Sequence, residues 1–461
     1  MKTILIALAA ARLTTPSPPP PLAINHVTVV DTAGGPNRPG MTVLIEGGRI
    51  TTVGETAAVQ FPSGTRTVDG SGKWVIPGLW DMHIHTFFGE WVPGGREVTL
   101  PLFLANGVTG VRDMGSDLEP ILAARRDVES GKLVGPRLVV SGPMLDGPKS
   151  QFPSSISLTT PDDGRRAVAM LAGRGVDFIK IQSYVPHDAY LAVADECRKR
   201  NIVFAGHVPD KVRPAEACDS GQKSWEHLIG IFEGSSTAEA QFLEEKKGPA
   251  RFLETFDPSK EAALFRRLAA KPTWQCPTLY WERGQWLVDV IDVTKDPNLK
   301  YAPVSWKQKT WSEFKSGILR DLATDPLPIR EKFVRHEIEI VGRMHRDKIP
   351  FLAGTDTPAG VGVLPGFSLH QELERFVDAG FTPLEALRTA TLNPAIYLDR
   401  RADFGTVESG RVADLVLLDA DPTADIRNTQ RIAAVVQGGR LLTRSDLDRM
   451  LADVAAYARS H

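Results

Sequence analysis

Two histidines, His83 and His85, lie one residue apart in the segment "WDMHIHTF", just after the strand-forming residues 74–76. Since successive side chains of a strand point to opposite faces, both imidazoles would lie on the same face. Two imidazoles on one face can bind one metal ion. The alternative is that both histidines merely pack inside the fold, and this is the better interpretation of a lone His-x-His pair.

Lys180 lies in "DFIKIQ", between apolar residues that predict a buried strand. An unpaired ammonium group in such a position is strongly disfavoured by desolvation, so a lysine here must be paired, neutral or chemically modified. Reaction of the neutral amine with carbon dioxide would produce a carbamate, whose two oxygens can bridge two divalent cations. The alternative is an ion pair with Asp177 or with an acid of a neighbouring strand, and this is the better interpretation of Lys180 alone.

Three further polar side chains follow predicted strands: His207 follows "IVFAG", His227 follows "SWE", and Asp356 ends "FLAGTDT". A carboxylate such as that of Asp356 can bind a metal ion and accept a proton from water. Each residue alone is weak evidence, and Asp356 could simply cap the following turn. Six such side chains at the ends of five strands are hard to explain as independent accidents. Together they predict a metal centre.

These candidates require an architecture that brings the ends of separate strands together. Apolar segments that alternate with helical stretches predict eight parallel strands: "WVIPGLWDMHIH", "VTGVRDMG", "RLVVSGPML", "DFIKIQS", "IVFAGHV", "SWEHLIG", "QCPTLYW" and "FLAGTDT". In a barrel of eight parallel strands, the active site lies at the carboxyl ends of the strands. The seventh segment, residues 273–281, is the weakest prediction because it lies in the mostly helical stretch 232–350. Arg112 and Asp113, which end the second segment, are predicted to form an internal ion pair.

The two ends of the chain have a different sequence pattern. Residues 24–67 and 403–442 contain short strand-like runs separated by Gly, Pro and Asp, which is typical of antiparallel sheets. The predicted fold class is α/β: a distorted (β/α)8 TIM barrel with a small β-sandwich domain that both chain ends form. The predicted domains are 1–22, a signal peptide with a Pro-rich linker; 23–75 and 399–443, the two parts of the sandwich; 76–398, the barrel; and 444–461, a C-terminal helix.

The overall composition is that of a folded globular protein. Of its 461 residues, 42% are hydrophobic and 24% are charged, and the formal net charge is −2. This charge gives no indication of nucleic acid or an anionic membrane surface as a partner. The three cysteines show no Cys-x-x-Cys pairing, so a thiolate metal cage is unsupported. We expect a small-molecule substrate and no nucleic acid partner, while a homo-oligomer stays an open alternative.

The first residues, "MKTILIALAAARLTTPSPPPP", combine a lysine, a short apolar run and small residues at two candidate cleavage points. This pattern is typical of a secretory signal followed by a polyproline linker. The apolar run is too short to span a membrane. We therefore expect an exported protein, periplasmic or secreted. A cytoplasmic location follows if the segment is not a signal.

The complete set of motifs resembles the amidohydrolase superfamily of metal-dependent hydrolases, within its prolidase-like and imidazolonepropionase-related group. The resemblance rests on "VIPGLWDMHIH", "GHVPD", "EHL", "LAGTDT", "HQELERFVDAGFTPLEALRTATLNPA" and "GTVESGRVADLVLLDADP". It implies a binuclear centre with the following ligands: His83, His85 and Asp356 on one ion, His207 and His227 on the other, and carboxylated Lys180 as the bridge. Zn²⁺ is the default metal, with Mn²⁺, Co²⁺ or Fe²⁺ as alternatives.

The same resemblance implies hydrolysis of an amide C–N bond in a small molecule such as a dipeptide or an N-acyl amino acid. A hydroxide that bridges the metal ions would attack the carbonyl, and Asp356 would act as general base and then as general acid. Tyr184, four residues after Lys180, is a candidate catalytic residue that would hydrogen-bond the scissile oxygen; a tyrosine packed on the rim is an equal alternative. The segment "SGPMLDGPKSQFPSS" lacks the Gly-Gly-His of several dipeptidase-type relatives, which puts a peptide substrate in doubt.

Three other functions stay open at this point. A lactonase or phosphotriesterase would use the same binuclear chemistry. Lys180 argues against a deaminase of the same superfamily, although Asp210 occupies the position of the glutamate that such enzymes use. An inactive barrel that serves as a binding module would be expected to lose ligands, whereas all six positions are occupied here.

Overall fold

The computed structural model describes residues 20–150, 152–245, 247–322 and 325–461. The predicted signal peptide and linker cover residues 1–22, and residues 1–19 of this range lie outside the described residues. None of the described helices combines the length and the apolar character that crossing a lipid bilayer requires.

The strands of the described chain fall into an end sheet and two parallel sheets. Their bounds are β1 (Leu22–Val29), β2 (Arg38–Glu46), β3 (Arg49–Glu55), β4 (Arg66–Asp69), β5 (Trp74–Pro77), β6 (Leu79–Ile84), β7 (Val108–Asp113), β8 (Arg137–Val140), β9 (Met144–Asp146), β10 (Ser155–Ser157), β11 (Phe178–Ile181), β12 (Val203–Gly206), β13 (Ser224–Glu226), β14 (Trp274–Cys276), β15 (Leu415–Leu418), β16 (Ile432–Gln437) and β17 (Arg440–Thr443).

The end sheet contains eight strands from both ends of the chain. Its order is β17-β16-β15-β5-β1-β2-β3, and β4 pairs with β1. The two ends meet where β5 runs antiparallel to β15, with Pro77 opposite Leu415. Alternating side chains of these strands fill a separate apolar core that includes Val43, Val75 and Val436. Other side chains of the same strands, such as Ile76 and Val416, join the main apolar core, so the sheet is buried on both faces.

The two parallel sheets have the orders β6-β7-β8 and β10-β9-β11-β12-β13-β14. The segment around Asp356 lies between them. The backbone N–H of Leu352 donates to the carbonyl of Gln275 in β14 at 2.8 Å, and the N–H of Met82 in β6 donates to the carbonyl of Ala353 at 2.8 Å. These bonds place Asp356 next to the end of β6, between the first and the last of the parallel strands.

Helices follow most of the parallel strands. Their bounds are α1 (Leu100–Ala105), α2 (Leu118–Glu129), α3 (Pro161–Gly173), α4 (His187–Arg200), α5 (Pro214–Asp219), α6 (Ile231–Gly234), α7 (Pro249–Thr255), α8 (Pro258–Ala270), α9 (Leu279–Trp286), α10 (Trp311–Asp321), α11 (Leu327–Arg346), α12 (Phe367–Asp378), α13 (Pro383–Thr389), α14 (Leu392–Tyr397) and α15 (Arg444–Ser460). Thr160, Thr382 and Thr443 begin α3, α13 and α15 with a capping box, in which the threonine hydroxyl accepts from a backbone N–H in the first turn.

Four predicted strand segments differ from the structure. The first is divided into β5, which belongs to the end sheet, and β6, and the eighth, "FLAGTDT", forms only isolated bridges at Phe351 and Thr357. The third segment is divided into β8 and β9. The seventh segment, residues 273–281, is a strand only over Trp274–Cys276, and α9 begins at Leu279. The helix begins this early because the buried Glu372 carboxylate accepts the N–H groups of Leu279 and Tyr280 at 2.9 and 2.7 Å. Glu372 lies almost one hundred residues further along the chain, so a local pattern could not indicate this cap.

Candidate metal centre

The paired histidines lie at the end of β6, whose six residues are all buried. Nε2 of His83 lies 3.3 Å from Oδ1 of Asp356, and Nε2 of His85 lies 3.0 Å from the same oxygen. One ligand atom from each of these three side chains falls within 4.8 Å of the others, which is close enough to hold a single cation. The alternation along β6 therefore directs both imidazoles to one point, as the spacing predicts.

All four histidines of the site use Nδ1 for a hydrogen bond and leave Nε2 for the centre. The Nδ1 partners are Oε2 of Glu226 for His83 (2.9 Å), the carbonyl of Gly115 for His85 (2.7 Å), Oγ of Ser183 for His207 (2.7 Å) and Oγ1 of Thr278 for His227 (2.7 Å). Such outer hydrogen bonds fix the ring orientation of metal-binding histidines. The structure thus shows four imidazoles whose orientation suits metal binding.

The second pair of histidines joins the first through ring contacts. The ring centroids of His207 and His227 are 5.0 Å apart, and those of His83 and His227 are 4.6 Å apart. Nε2 of His227 lies 3.8 Å from Oδ2 of Asp356. His207 follows β12 and His227 follows β13, so neighbouring parallel strands deliver both rings to the same place.

Asp356 is held in position by its backbone and by the glycine two residues before it. Its N–H donates to the carbonyl of His83 at 2.7 Å, and its φ of 56° is in the left-handed region. At Gly354, a Cβ atom would clash with Sγ of Cys276 and would lie 2.8 Å from Cβ of His83. Only glycine allows the segment to approach β6 this closely. Oδ1 of Asp356 is buried and makes no hydrogen bond of good geometry to a described residue.

Lys180, on β11, is 1% exposed. Within the described chain its ammonium group has no ion pair within 4.0 Å and no hydrogen bond, and Asp177 pairs instead with Arg125 at 2.8 Å. Burial lowers the pKa of Lys180 to about 8, although Glu226 and Asp356 raise it in part. The ion pair with Asp177 that the sequence left open is therefore not formed. Because its pKa is lowered, Lys180 adopts the neutral amine form more readily than an ordinary lysine.

The electrostatics favour the neutral forms of three of the four imidazoles. Burial lowers the pKa of His227 to about 4, and burial together with Lys180 lowers the pKa values of His83 and His207 well below the ordinary value. Burial acts to lower the pKa of His85, but the nearby negative charges of Asp356 and Asp113 and the carbonyl of Gly115 raise it above its ordinary value. Burial acts to raise the pKa of Asp356, but the surrounding histidines hold it well below its ordinary value. Neutral imidazoles and an ionised carboxylate are the forms that bind cations.

Sequence reasoning missed Glu226, which lies directly before His227. Besides accepting from His83, its carboxylate binds Arg112 at 2.9 and 3.1 Å. Arg112 thus forms the predicted internal ion pair, but with Glu226 and not with Asp113, which accepts instead from the N–H of Thr86 at 2.9 Å. The only local feature of the sequence that could have indicated its role is the position of an acidic residue at the end of a short buried strand.

Tyr184 is the one predicted site residue that the structure does not bring to the centre. Its side chain is 42% exposed, and it is not among the described residues that line the cavity. Its backbone N–H donates to Oδ1 of Asp146 at 2.9 Å. Its catalytic role stays a prediction.

The six predicted ligands line one cavity of about 400 Å³. Aromatic side chains form much of the remaining wall, and Trp281 lies against His227 with ring centroids 4.8 Å apart. Asp210 also lines this cavity and accepts from Nζ of Lys247 at 3.0 Å. A pocket that is mostly apolar with a few convergent polar groups is typical of small-molecule sites.

Comparison with known proteins agrees with this geometry. The model of the amidohydrolase family matches residues 74–223 and 285–442. An imidazolonepropionase of Pseudomonas putida (strain GB-1) is 25% identical over 83% of this chain and 88% of that protein. An adenine deaminase of Paracoccus denitrificans (strain Pd 1222) is 33% identical over 87% of this chain and 54% of that protein. The solved structure of a bottromycin amidohydrolase, 23% identical, covers 96% of this chain and 91% of its own with a TM-score of 0.73, a likeness of fold.

The family match covers the chain on both sides of residues 224–284, the stretch that includes Trp281. The site places imidazole, carboxylate and lysine side chains at the ends of parallel strands, within one cavity. The chain therefore belongs to the amidohydrolase family and is a metal-dependent hydrolase that acts on C–N bonds.

Proposed function

We propose that the protein hydrolyses the amide C–N bond of a small molecule such as a dipeptide or an N-acyl amino acid. The observation that carries this proposal is the convergence of the Nε2 atoms of three histidines on the Asp356 carboxylate, with His207 and Lys180 lining the same cavity; Lys180 is buried and has no ion-pair partner in the described chain. Similarity to an imidazolonepropionase, an adenine deaminase and an amidohydrolase agrees with chemistry at a C–N bond.

The donor set fits two divalent cations, with Zn²⁺ as the default and Mn²⁺, Co²⁺ or Fe²⁺ as alternatives. We assign the ligands as follows: His83, His85 and Asp356 to one ion, His207 and His227 to the other, and Lys180, carboxylated by carbon dioxide, between them. Neutral imidazoles with free Nε2 atoms and a buried carboxylate oxygen without a good hydrogen bond support this assignment. The low pKa of Lys180 supports carbamate formation, which requires the neutral amine.

The chain's own residues supply the proton transfer. Bound cations would act as Lewis acids on the substrate carbonyl and would lower the pKa of water toward about 7. Asp356 would accept the proton of the attacking water at a carboxylate oxygen and deliver it to the leaving nitrogen, a contribution of about 10²- to 10⁴-fold in rate. Tyr184 stays a candidate donor to the scissile oxygen, since Gln182 and Ser183, directly before it, line the cavity.

One contact favours amide hydrolysis over deamination. A deaminase would need a free carboxylate at position 210, whereas Asp210 pairs with Lys247, which also pairs with Glu233 at 3.1 Å. The ion pair with Lys247 occupies this carboxylate, so it is not free to carry a proton to a substrate.

The architecture and location of the protein belong to the same proposal. We infer a distorted (β/α)8 barrel over 76–398, in which residues 351–357 occupy the place of the eighth strand. Backbone bonds from this segment to both β14 and β6 support the closure. The end sheet would form the small sandwich from 23–75 and 399–443. Export through a cleaved signal within residues 1–22 would be tested by N-terminal sequencing of the mature protein, and homo-oligomer formation by light scattering.

A hydrolysis screen with zinc- and manganese-loaded protein tests the function. N-acyl amino acids and dipeptides should be cleaved faster than lactones and aryl phosphotriesters. Elemental analysis of the same samples should find about two metal ions per chain. Release of ammonia from purines or pyrimidines without amide cleavage would contradict the proposal.

A further inference from the structure

The cavity extends beyond the metal centre into a second compartment, which we call the distal pocket. Its apolar wall consists of Phe232, Phe252, Trp286, Phe314, Ile318 and Phe333. Three polar side chains interrupt this wall: Glu282 and Gln285 on α9, and Glu337 on α11. Two carboxyl groups within an aromatic enclosure are unexpected, because burial of an uncompensated carboxylate is costly.

These polar groups are buried and lack adequate partners. Glu282 is 5% exposed and Glu337 is 3% exposed, and no described Lys, Arg or His side chain lies within 4.0 Å of either carboxyl group. The indole N–H of Trp286 donates to Oε1 of Glu337 at 2.9 Å and is the one close donor that the two carboxyl groups share. Gln285, 7% exposed, makes no side-chain hydrogen bond to a described residue. One N–H cannot satisfy two carboxyl groups.

Lys247, a cation of the same cavity wall, is already paired with Asp210 and Glu233, and Arg330 on α11 is engaged as well. Arg330 donates to both oxygens of Asp289 at 2.8 and 2.7 Å, and to the carbonyl of Trp286 at 2.5 Å. This contact fixes the C-terminal end of α9 against α11, so the positions of the two glutamates are set without any ligand. Burial raises the pKa of Glu337 to about 8, and burial with the repulsion of Glu337 raises the pKa of Glu282 well above its ordinary value.

The distal pocket is close enough to the metal centre for one small molecule to reach both. Trp281, which directly precedes Glu282, lies against His227. Glu282 and the six predicted ligands line the same cavity. A molecule whose amide lies at the metal centre would therefore extend past Trp281 to the glutamates.

We propose that the distal pocket binds an organic cation, an ammonium or guanidinium group at the end of an apolar arm of the substrate. The apolar stem would pack against the aromatic wall, while the cationic group would donate hydrogen bonds to Glu282 and Glu337, with Gln285 as an additional acceptor. Charge-assisted hydrogen bonds of this kind, in a desolvated place, are strong and specific. This inference rests on the proposed function, because it assigns the substrate class of the same site.

Binding of matched probes tests the pocket without turnover. Calorimetry with the metal-loaded protein would compare n-pentylguanidine with n-pentylurea, a neutral analogue of nearly the same shape. We expect the guanidine to bind at least about tenfold more tightly. Glu282→Gln and Glu337→Gln should remove most of this difference. Glu339→Gln, on the exposed side of the same helix, is the matched control and should preserve it.

Turnover separates failure of the pocket from failure of the proposed function. The ratio of kcat/KM for N-acetyl-L-arginine over N-acetyl-L-citrulline should be at least about ten in the wild type and should fall toward one in Glu282→Gln. Tight guanidine binding without hydrolysis of either compound would contradict the amide hydrolase and support the pocket. Equal binding of both probes, together with equal hydrolysis of both compounds, would overturn the pocket and leave the hydrolase intact. The wild-type comparison requires no variant, so poor folding of a variant does not prevent the test.

Discussion

Nδ1 of His83 lies 2.9 Å from Oε2 of Glu226, and both side chains are buried. Arg112 binds the same carboxylate through two bonds, and it also donates to the hydroxyl groups of Ser224 and Tyr397. The chain of contacts runs from the interior of the fold to the metal centre. It fixes the imidazole of His83 with Nε2 toward Asp356.

Substitution of Glu226 by Gln tests this positioning. The amide can still accept from His83, but the negative charge that pairs with Arg112 is lost. Outer partners of this kind contribute about 10- to 100-fold to metal affinity, and a broken buried ion pair costs about 3 to 5 kcal/mol of stability. We expect weaker metal retention in competition with a chelator, and a lower Tm. Unchanged metal affinity would show that Glu226 serves only the fold.

Asp356→Ala should separate metal binding from catalysis. The imidazoles and Lys180 would keep most of the metal, whereas loss of the proton carrier should lower kcat by about 10²- to 10⁴-fold. Steady-state kinetics and elemental analysis on one preparation would measure both. Asp162→Asn, an exposed change in the first turn of α3, is the control and should leave kcat unaltered. Full activity of Asp356→Ala would refute its role as general base.

Lys180→Ala should lose metal and activity together, because the bridging group disappears. Short carboxylates such as acetate should restore part of both, since they can occupy the place of the carbamate. Wild-type protein loaded in ¹³C-labelled bicarbonate should show a carbamate carbon by NMR, a readout that does not depend on turnover. A free amine in fully metallated protein would contradict the carbamate.

The stability of the protein should fall as the pH rises from about 5 to about 8, in part because of Glu337. Burial raises the folded-state pKa of Glu337 to about 8 from an ordinary value of 4.5. Between these values the unfolded chain releases the proton while the folded chain keeps it, so the free energy of unfolding decreases with pH. One group contributes at most about 1.4 kcal/mol per pH unit. Calorimetric Tm values should show a weaker pH dependence for Glu337→Gln than for the wild type, and an identical dependence would contradict the assignment.

The placement of these side chains at the ends of strands could be predicted from the sequence because it follows local rules. Alternation along a strand places His83 and His85 on one face, and parallel strands deliver residues such as His207 and Asp356 to a common edge. The meeting of the two chain ends in one sheet was likewise indicated by their turn-rich strand pattern.

Other parts of the site depend on residues that are far apart in the sequence. The pairing of Glu226 with His83 and Arg112, and the capping of α9 by Glu372, join segments between 93 and 143 residues apart. No periodicity predicts such pairs, because hydrogen bonding between distant groups depends on the final packing.

The sequence by itself determined which side chains are available for chemistry and on which strands they lie, because strand alternation and apolar burial act over a few residues. Only the tertiary structure decided that Asp177 binds Arg125, that Lys180 has no ion-pair partner in the described chain, and that Tyr184 does not line the described cavity. It also decided that Glu282 and Glu337 face the same cavity. The physical reason is that desolvation and charge pairing depend on every neighbour in space, and these neighbours come from the whole chain.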